Sequence, residues 1–169
     1  MEAIFENHFK QDEATLKEAF FRQYYFGKFY AIIDLLMFAV IGINWFFNKT
    51  GSLSGKVFPV VFMSVFWVYK YYSFRNTVKS VMKRNSECAE DGVMENNIFV
   101  TKGGFVYSDN AGTRQRVEFE DLKLVYRTKS CIVMQANTGV IYICRKDAFT
   151  VGTAEGLVAH LKKKGVKVF

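Results

Sequence analysis

From Phe29 to Phe47 the chain reads FYAIIDLLMFAVIGINWFF, an apolar run interrupted by one charge, Asp34. As a helix it spans about 28 Å, close to the hydrocarbon thickness of a bilayer. A polar stretch from Asn48 to Lys56, containing Gly51, Ser52, Ser54 and Gly55, reads as a turn. A second apolar run, VFPVVFMSVFWVY, covers Val57 to Tyr69 and ends at Lys70, Tyr71 and Tyr72. It provides about 20 Å of uncharged helix. Pro59 falls near its start, where a missing N–H costs least. Both runs are apolar on every face rather than along one stripe. They therefore predict a transmembrane helical hairpin over residues 29–72 in preference to a hairpin buried in a soluble core. Trp67, Tyr69, Tyr71 and Tyr72 supply an interfacial belt, and Lys56 and Lys70 have stems long enough to snorkel. The first run lacks a small-residue cleavage site, which argues against a signal peptide.

The pattern changes on both sides of the hairpin. Residues 9–28 predict a helix with Phe9, Leu16, Phe20 and Tyr24 on one face, continuing into the first span or lying along the headgroups. Residues 1–28 are thus read as a cytoplasmic, partly helical segment. Residues 73–92 are read as a juxtamembrane helix, strongest from Phe74 to Met82, and a linker that breaks at residues 87–92. Beyond it the period drops to two. Strands are predicted at Val93–Thr101, Phe105–Ser108, Gln115–Glu120, Leu122–Thr128, Cys131–Ala136 and Val140–Arg145, with turn chemistry at residues 102–104, 109–112, 128–130 and 137–139. Thr153 to Lys164 predicts a closing helix, with Thr153 as N-cap and Ala154, Leu157, Val158 and Leu161 as its apolar face. The expected architecture is an α+β membrane protein: a hairpin, then a small antiparallel β domain over residues 93–169 closed by a C-terminal helix.

Charge adds an orientation. Lys10, Lys17, Arg22 and Lys28 precede the hairpin, and Lys70, Arg75, Lys79, Lys83 and Arg84 follow it, against Lys49 and Lys56 in the connection. This asymmetry predicts a multi-pass protein of the inner or plasma membrane with both termini in the cytoplasm. Cys88, Cys131 and Cys144 then face a reducing compartment and are expected as free thiols.

The order of elements resembles the YcxB-like family of bacterial membrane proteins. The likeness rests on the hairpin, Tyr107, the segment Val117-Glu118-Phe119-Glu120-Asp121-Leu122, the segment from Ile141 to Phe149, and the closing helix. It covers essentially the whole chain. The resemblance implies a cytoplasmic domain similar to a pleckstrin-homology (PH-like) fold, and it carries no catalytic residue.

The sequence offers little for catalysis. His8 and His160 stand at opposite ends, and no HExxH, GxSxG or P-loop spacing occurs. Asp109 and Asp121 lack carboxylate partners and fit turns or strand ends. The reading is not an enzyme, with no catalytic residue, no cofactor and no metal. Residues 93–169 carry 12 Lys+Arg and 7 Asp+Glu, net +5. Without an aromatic–basic stacking surface this points to an anionic leaflet rather than to nucleic acid. Arg75, Lys79, Lys83, Arg84, Arg114, Arg116, Arg127 and Lys129 are candidates for headgroup or partner contacts, with Lys123, Arg145 and Lys146 nearby in sequence. The partners this reading allows are the lipid bilayer, an unidentified protein or toxin, and further copies of the chain. The role expected is adaptor, scaffold or regulator. The alternative is an immunity protein that shields a producer's membrane from its cognate toxin.

Asp34 is the one formal charge within the first span, and a carboxylate there costs about 2.5–3.5 kcal/mol on insertion scales. In an antiparallel hairpin closed at residues 48–56, positions summing to about 104 share a depth. Position 34 then faces position 70. Asp34 and Lys70 are expected to form a structural intramembrane pair.

Overall fold

The computed structural model describes residues 3–47, 53–89 and 91–169. Residues 48–52 of the predicted turn and Glu90 of the predicted boundary lie outside them. In chain order the elements are β1 (Phe5–Lys10), α1 (Glu13–Phe26), α2 (Lys28–Phe47), α3 (Leu53–Cys88), β2 (Glu95–Val100), β3 (Gly104–Asp109) and β4 (Arg114–Glu118). A 3-10 turn at Phe119–Asp121 leads to β5 (Leu122–Arg127), β6 (Cys131–Ala136), β7 (Ile141–Arg145), β8 (Phe149–Val151) and α4 (Ala154–Lys163). The chain is α+β, with antiparallel sheets, two long apolar helices and a C-terminal helix. It divides into two compact units: Met1–Ala19 with Ser80–Phe169, and Phe20–Lys79.

The first unit is built on two sheets. One has five strands in the order β4-β3-β2-β1-β8, the other three in the order β5-β6-β7. Alternation sets the core: Ile98 and Val100 from β2, Phe105 from β3, Val117 from β4, and Ile132 and Met134 from β6 all point inward. α4 adds Leu157 and Leu161, both fully buried. Its start follows the predicted cap, Thr153 Oγ1 accepting the Gly156 N–H at 3.1 Å. Gly152, at φ +76°, makes the entry to α4, and a Cβ there would collide with the Phe5 ring.

The helix predicted over residues 9–28 is corrected here. Its first residues belong to β1, where Phe5, Asn7 and Phe9 are buried and Glu6, His8 and Lys10 are more exposed, a period of two. β1 pairs antiparallel with β2 over its whole length, Phe5 facing Val100 and Lys10 facing Glu95, and with β8 on its other side. Its partners follow the two apolar helices in the chain, so no local propensity identifies it. The buried Asn7 amide bridges to β7, donating to the Arg145 carbonyl at 2.7 Å and accepting the Arg145 N–H at 3.1 Å. A side-chain amide thus stands in for a strand neighbour. α1 begins only at Glu13, where Asp12 Oδ1 accepts the Thr15 N–H at 2.7 Å.

The first turns of α1 pack on the three-stranded sheet. Tyr126 of β5 donates to the Ala19 carbonyl at 2.6 Å. Glu18 accepts the Ser130 N–H at 2.7 Å and the Ser130 hydroxyl. Cys131 and Val133 alternate with Ile132 and Met134 along β6, and all four are buried. Both faces of this sheet are therefore covered.

Two further differences concern boundaries. The predicted strand Gln115–Glu120 ends at Glu118, and the 3-10 turn takes over. The segment 149–151, absent from the predicted strands, forms β8.

The helix α3, whose residues up to Lys79 belong to the second unit, runs unbroken for 36 residues, so the predicted juxtamembrane helix is its continuation rather than a separate element. No Gly or Pro lies between Val60 and Cys88 to interrupt it. The later part of α1 meets α3 through Tyr24, whose hydroxyl lies 2.6 Å from Thr77 Oγ1, and through Phe21, Tyr24 and Tyr25 ringed about Phe74. Gly27 separates α1 from α2. A Cβ at that position would sit 2.3 Å from the Gln23 carbonyl oxygen, so the bend requires glycine. None of the apolar window of α2 is buried, and only 11% of that of α3 is. Leu35 is 70% exposed, Phe46 78% and Phe58 70%. These two helices are long and apolar enough to cross a membrane.

Candidate functional site

The helical unit holds one ion pair between its helices. Lys70 Nζ lies 3.0 Å from Asp34 Oδ2, with the lysine side chain 1% exposed and the aspartate 17%. Three rings surround the ammonium, Tyr30 at 5.0 Å, Tyr25 at 5.2 Å and Trp67 at 5.5 Å from their centroids. Tyr25 comes from α1, Tyr30 and Asp34 from α2, and Trp67 and Lys70 from α3, so all three helices of this unit build one box. The quadrupoles of the rings favour a cation on their faces and offset part of the lysine's lost hydration. Asp34 Oδ1 is buried and has no hydrogen-bond partner among the described residues. Register arithmetic identifies the charged partners. It does not reveal the aromatic box, whose members are spread over three helices. Lys70 does not snorkel outward.

The polar groups elsewhere in the apolar runs turn inward to their own backbone. Asn44 Nδ2 donates to the Val40 carbonyl at 3.0 Å and Ser64 Oγ to the Val60 carbonyl at 2.9 Å. Both satisfy themselves one turn back.

The basic candidates are distributed. Arg75, Lys79, Lys83 and Arg84 are exposed along α3. Arg75 lies 5.8 Å from the Tyr71 ring centroid, and Lys83 pairs with Glu87 at 3.8 Å. Arg114 and Arg116 are exposed on β4, whereas Arg127 and Lys129 are exposed on β5 and the turn after it. These two pairs sit on different sheets. Arg145 and Lys146 are occupied: Arg145 pairs with Asp147 at 2.5 Å and Asp12 at 3.5 Å, and Lys146 donates to the Thr128 carbonyl at 2.6 Å. The sequence reading missed a cleft of about 390 Å³ lined by Lys123, Lys164 and Lys167 around Phe119, Leu122 and Val166. The basic tail was its one visible signal.

Several titratable groups of the first unit are shifted by their surroundings. Burial pushes the Glu18 carboxyl up, but hydrogen bonds from the Ser130 and Thr128 side chains and the 129–130 backbone outweigh it and hold it below its usual value. The Thr15 N–H holds Asp12 low. Burial raises the thiols of Cys131 and Cys144, so neither favours a reactive thiolate, while Cys88 is exposed. His160 sits between Phe5 and Phe119, and its burial, with Lys164 and Lys163 nearby, lowers its pKa. His8 Nδ1 is 2.7 Å from Asn97 Oδ1. Among the described residues no group of three or more His, Cys, Asp or Glu is placed to hold a metal ion. No family model, no curated protein and no solved structure matches the chain.

Proposed function

We propose that this chain is a two-pass integral membrane protein whose β unit, PH-like in design and cytoplasmic, binds a protein or lipid partner as an adaptor, scaffold or regulator. The observation that carries the reading is the position of β1 between β2 and β8. β1 precedes the two apolar helices and its partners follow them, so one sheet is assembled from both flanks. A hydrogen-bonded sheet cannot be divided by a bilayer. Its membership therefore supports an even number of crossings with both flanks on one side. The Lys/Arg asymmetry of the sequence supports the cytoplasmic side. The aromatic-lined Asp34–Lys70 pair serves this reading as a structural clamp of the hairpin.

Cysteine accessibility on intact cells tests the topology. A cysteine introduced by Ser52→Cys is expected to react with an impermeant maleimide, while the exposed Cys88 reacts only after the membrane is opened. Labelling of Cys88 from outside would reverse the orientation. Proximity labelling from the C-terminus, compared with labelling from a hairpin alone, reads the binding role. Identical partner sets would remove it from the β unit.

A further inference from the structure

β4 is an outer strand of the five-stranded sheet, and β3 is its one neighbour there. Other sheet margins are shortened or engaged. β8 is 3 residues long, β7 has its Arg145 peptide groups taken by Asn7, and β5 is bonded by the tail through Val125 N–H to the Lys167 carbonyl and Phe169 N–H to the Val125 carbonyl. The hairpin register decides what β4 presents outward. Asp109 N–H bonds the Thr113 carbonyl and Phe119 N–H bonds the Gly103 carbonyl, so the pairs 107/115 and 105/117 between them are the closely bonded ones. The peptide groups of Arg114, Arg116 and Glu118 then point away from the sheet. Their side chains stand on the face opposite the buried Val117 and are exposed.

Along that face of β4 the charges run Arg114, Arg116, Glu118, positive to negative. None of the three has an ion pair among the described residues. The Arg116–Glu118 order is self-complementary when reversed. If a second β4 pairs antiparallel about Val117, Arg116 faces Glu118 of the other copy in both directions. The same register brings outward peptide groups opposite outward peptide groups, as a ladder needs. A uniformly acidic peptide would meet Glu118 with like charge, which disfavours it.

We propose that β4 is a self-association edge, through which two copies of this chain join their five-stranded sheets across a two-fold axis at Val117. The interface is isologous and closes at a dimer, because each copy spends its open edge on the other. This goes beyond the proposed function by naming one partner and the surface it uses.

Charge reversal on the full chain in detergent tests it, read by sedimentation equilibrium in a Cys88→Ser background. The unaltered sequence is expected to dimerise, and Arg116→Glu and Glu118→Arg each to weaken dimerisation at least tenfold. The double reversal in one chain is expected to restore it, and a mixture of the two single variants to form the mixed dimer in preference to either homodimer. Hydrogen exchange on the unaltered chain gives a second reading, independent of variant folding. The amides of Arg116 and Glu118 are expected to be protected at high concentration and to exchange freely on dilution. A dimer indifferent to all the reversals, a monomer throughout, or fast exchange of those amides at every concentration overturns the proposal.

Discussion

The two units of this chain use the same kinds of residue in opposite ways. In the β unit Ile98, Ile132, Leu157 and Leu161 are fully buried, and charges such as Arg114 and Lys123 stand outside. In the helical unit Leu35, Phe46 and Phe58 stand outside, and the most deeply buried large side chain is a lysine. Hydrophobicity does not set burial by itself. Water drives leucine into the first unit, while α2 and α3 are long and apolar enough to cross a membrane and enclose the Asp34–Lys70 pair between them. The contrast also separates what holds each unit. Packing and sheet hydrogen bonds hold the first, and one ion pair with three rings marks the contact of the helices in the second.

The sharpest break is at that pair. Lys70→Met strands the Asp34 carboxylate in an apolar layer and is expected to cost about 3–5 kcal/mol. Adding Asp34→Asn removes the stranded charge, so thermal unfolding in detergent should show the double variant recovering most of the loss. Strict additivity would mean the two charges act independently. Next in size is truncation of the apolar groups. Leu157→Ala in the β unit is expected to lose about 2–5 kcal/mol through the cavity it opens, whereas Leu35→Ala on the outer face of α2 should change little in the same assay. Equal losses would erase the distinction between the units.

Smaller effects sharpen it. Asn7→Ala takes the partner from the Arg145 N–H and leaves its carbonyl only the Ala148 N–H at 3.3 Å, and should destabilise the β unit by about 1–3 kcal/mol, read as a loss of hydrogen-exchange protection along β1 and β7. Thr153→Ala removes the α4 cap at about 1 kcal/mol. Acid acts on the β unit in the same direction. The folded-state carboxyls of Glu18 and Asp12 are depressed, so the unfolded chain takes up their protons first. Their stabilising contribution is complete above the ordinary carboxylate range, roughly pH 4, and is lost as pH falls below it toward the folded values. Glu18→Gln should flatten that acid limb of the melting-temperature profile. An unchanged limb would show that the Ser130 contact does not favour the ionised form.

How much of this was legible from the chain alone differs element by element. The sequence places β2, β3, β5, β6 and β7 within a residue or two, because short apolar or alternating runs rich in β-branched and aromatic residues are bounded by small polar turn residues. Thr153 and the apolar face behind it mark α4, since capping and amphipathicity are local. The two apolar runs declare α2 and α3 by composition, and counting back from the connection aligns Asp34 with Lys70. Asp12, followed by Glu13, was the available sign that α1 starts after residue 12.

The amino-acid sequence by itself thus determined the two apolar helices, α4, the strands from β2 to β7 to within their ends, and which charges stand in apolar surroundings, because each follows from neighbours within a turn or a strand. Tertiary structure alone decided that Phe5–Lys10 completes a sheet made from the other end of the chain, that Glu18 and Ala19 fasten α1 to β5 and β6, and that Tyr25, Tyr30 and Trp67 close around Lys70. The reason is physical. A strand of six residues has no stability of its own, and an aromatic box drawn from three helices has no period in sequence. Both exist only when partners remote along the chain are brought together.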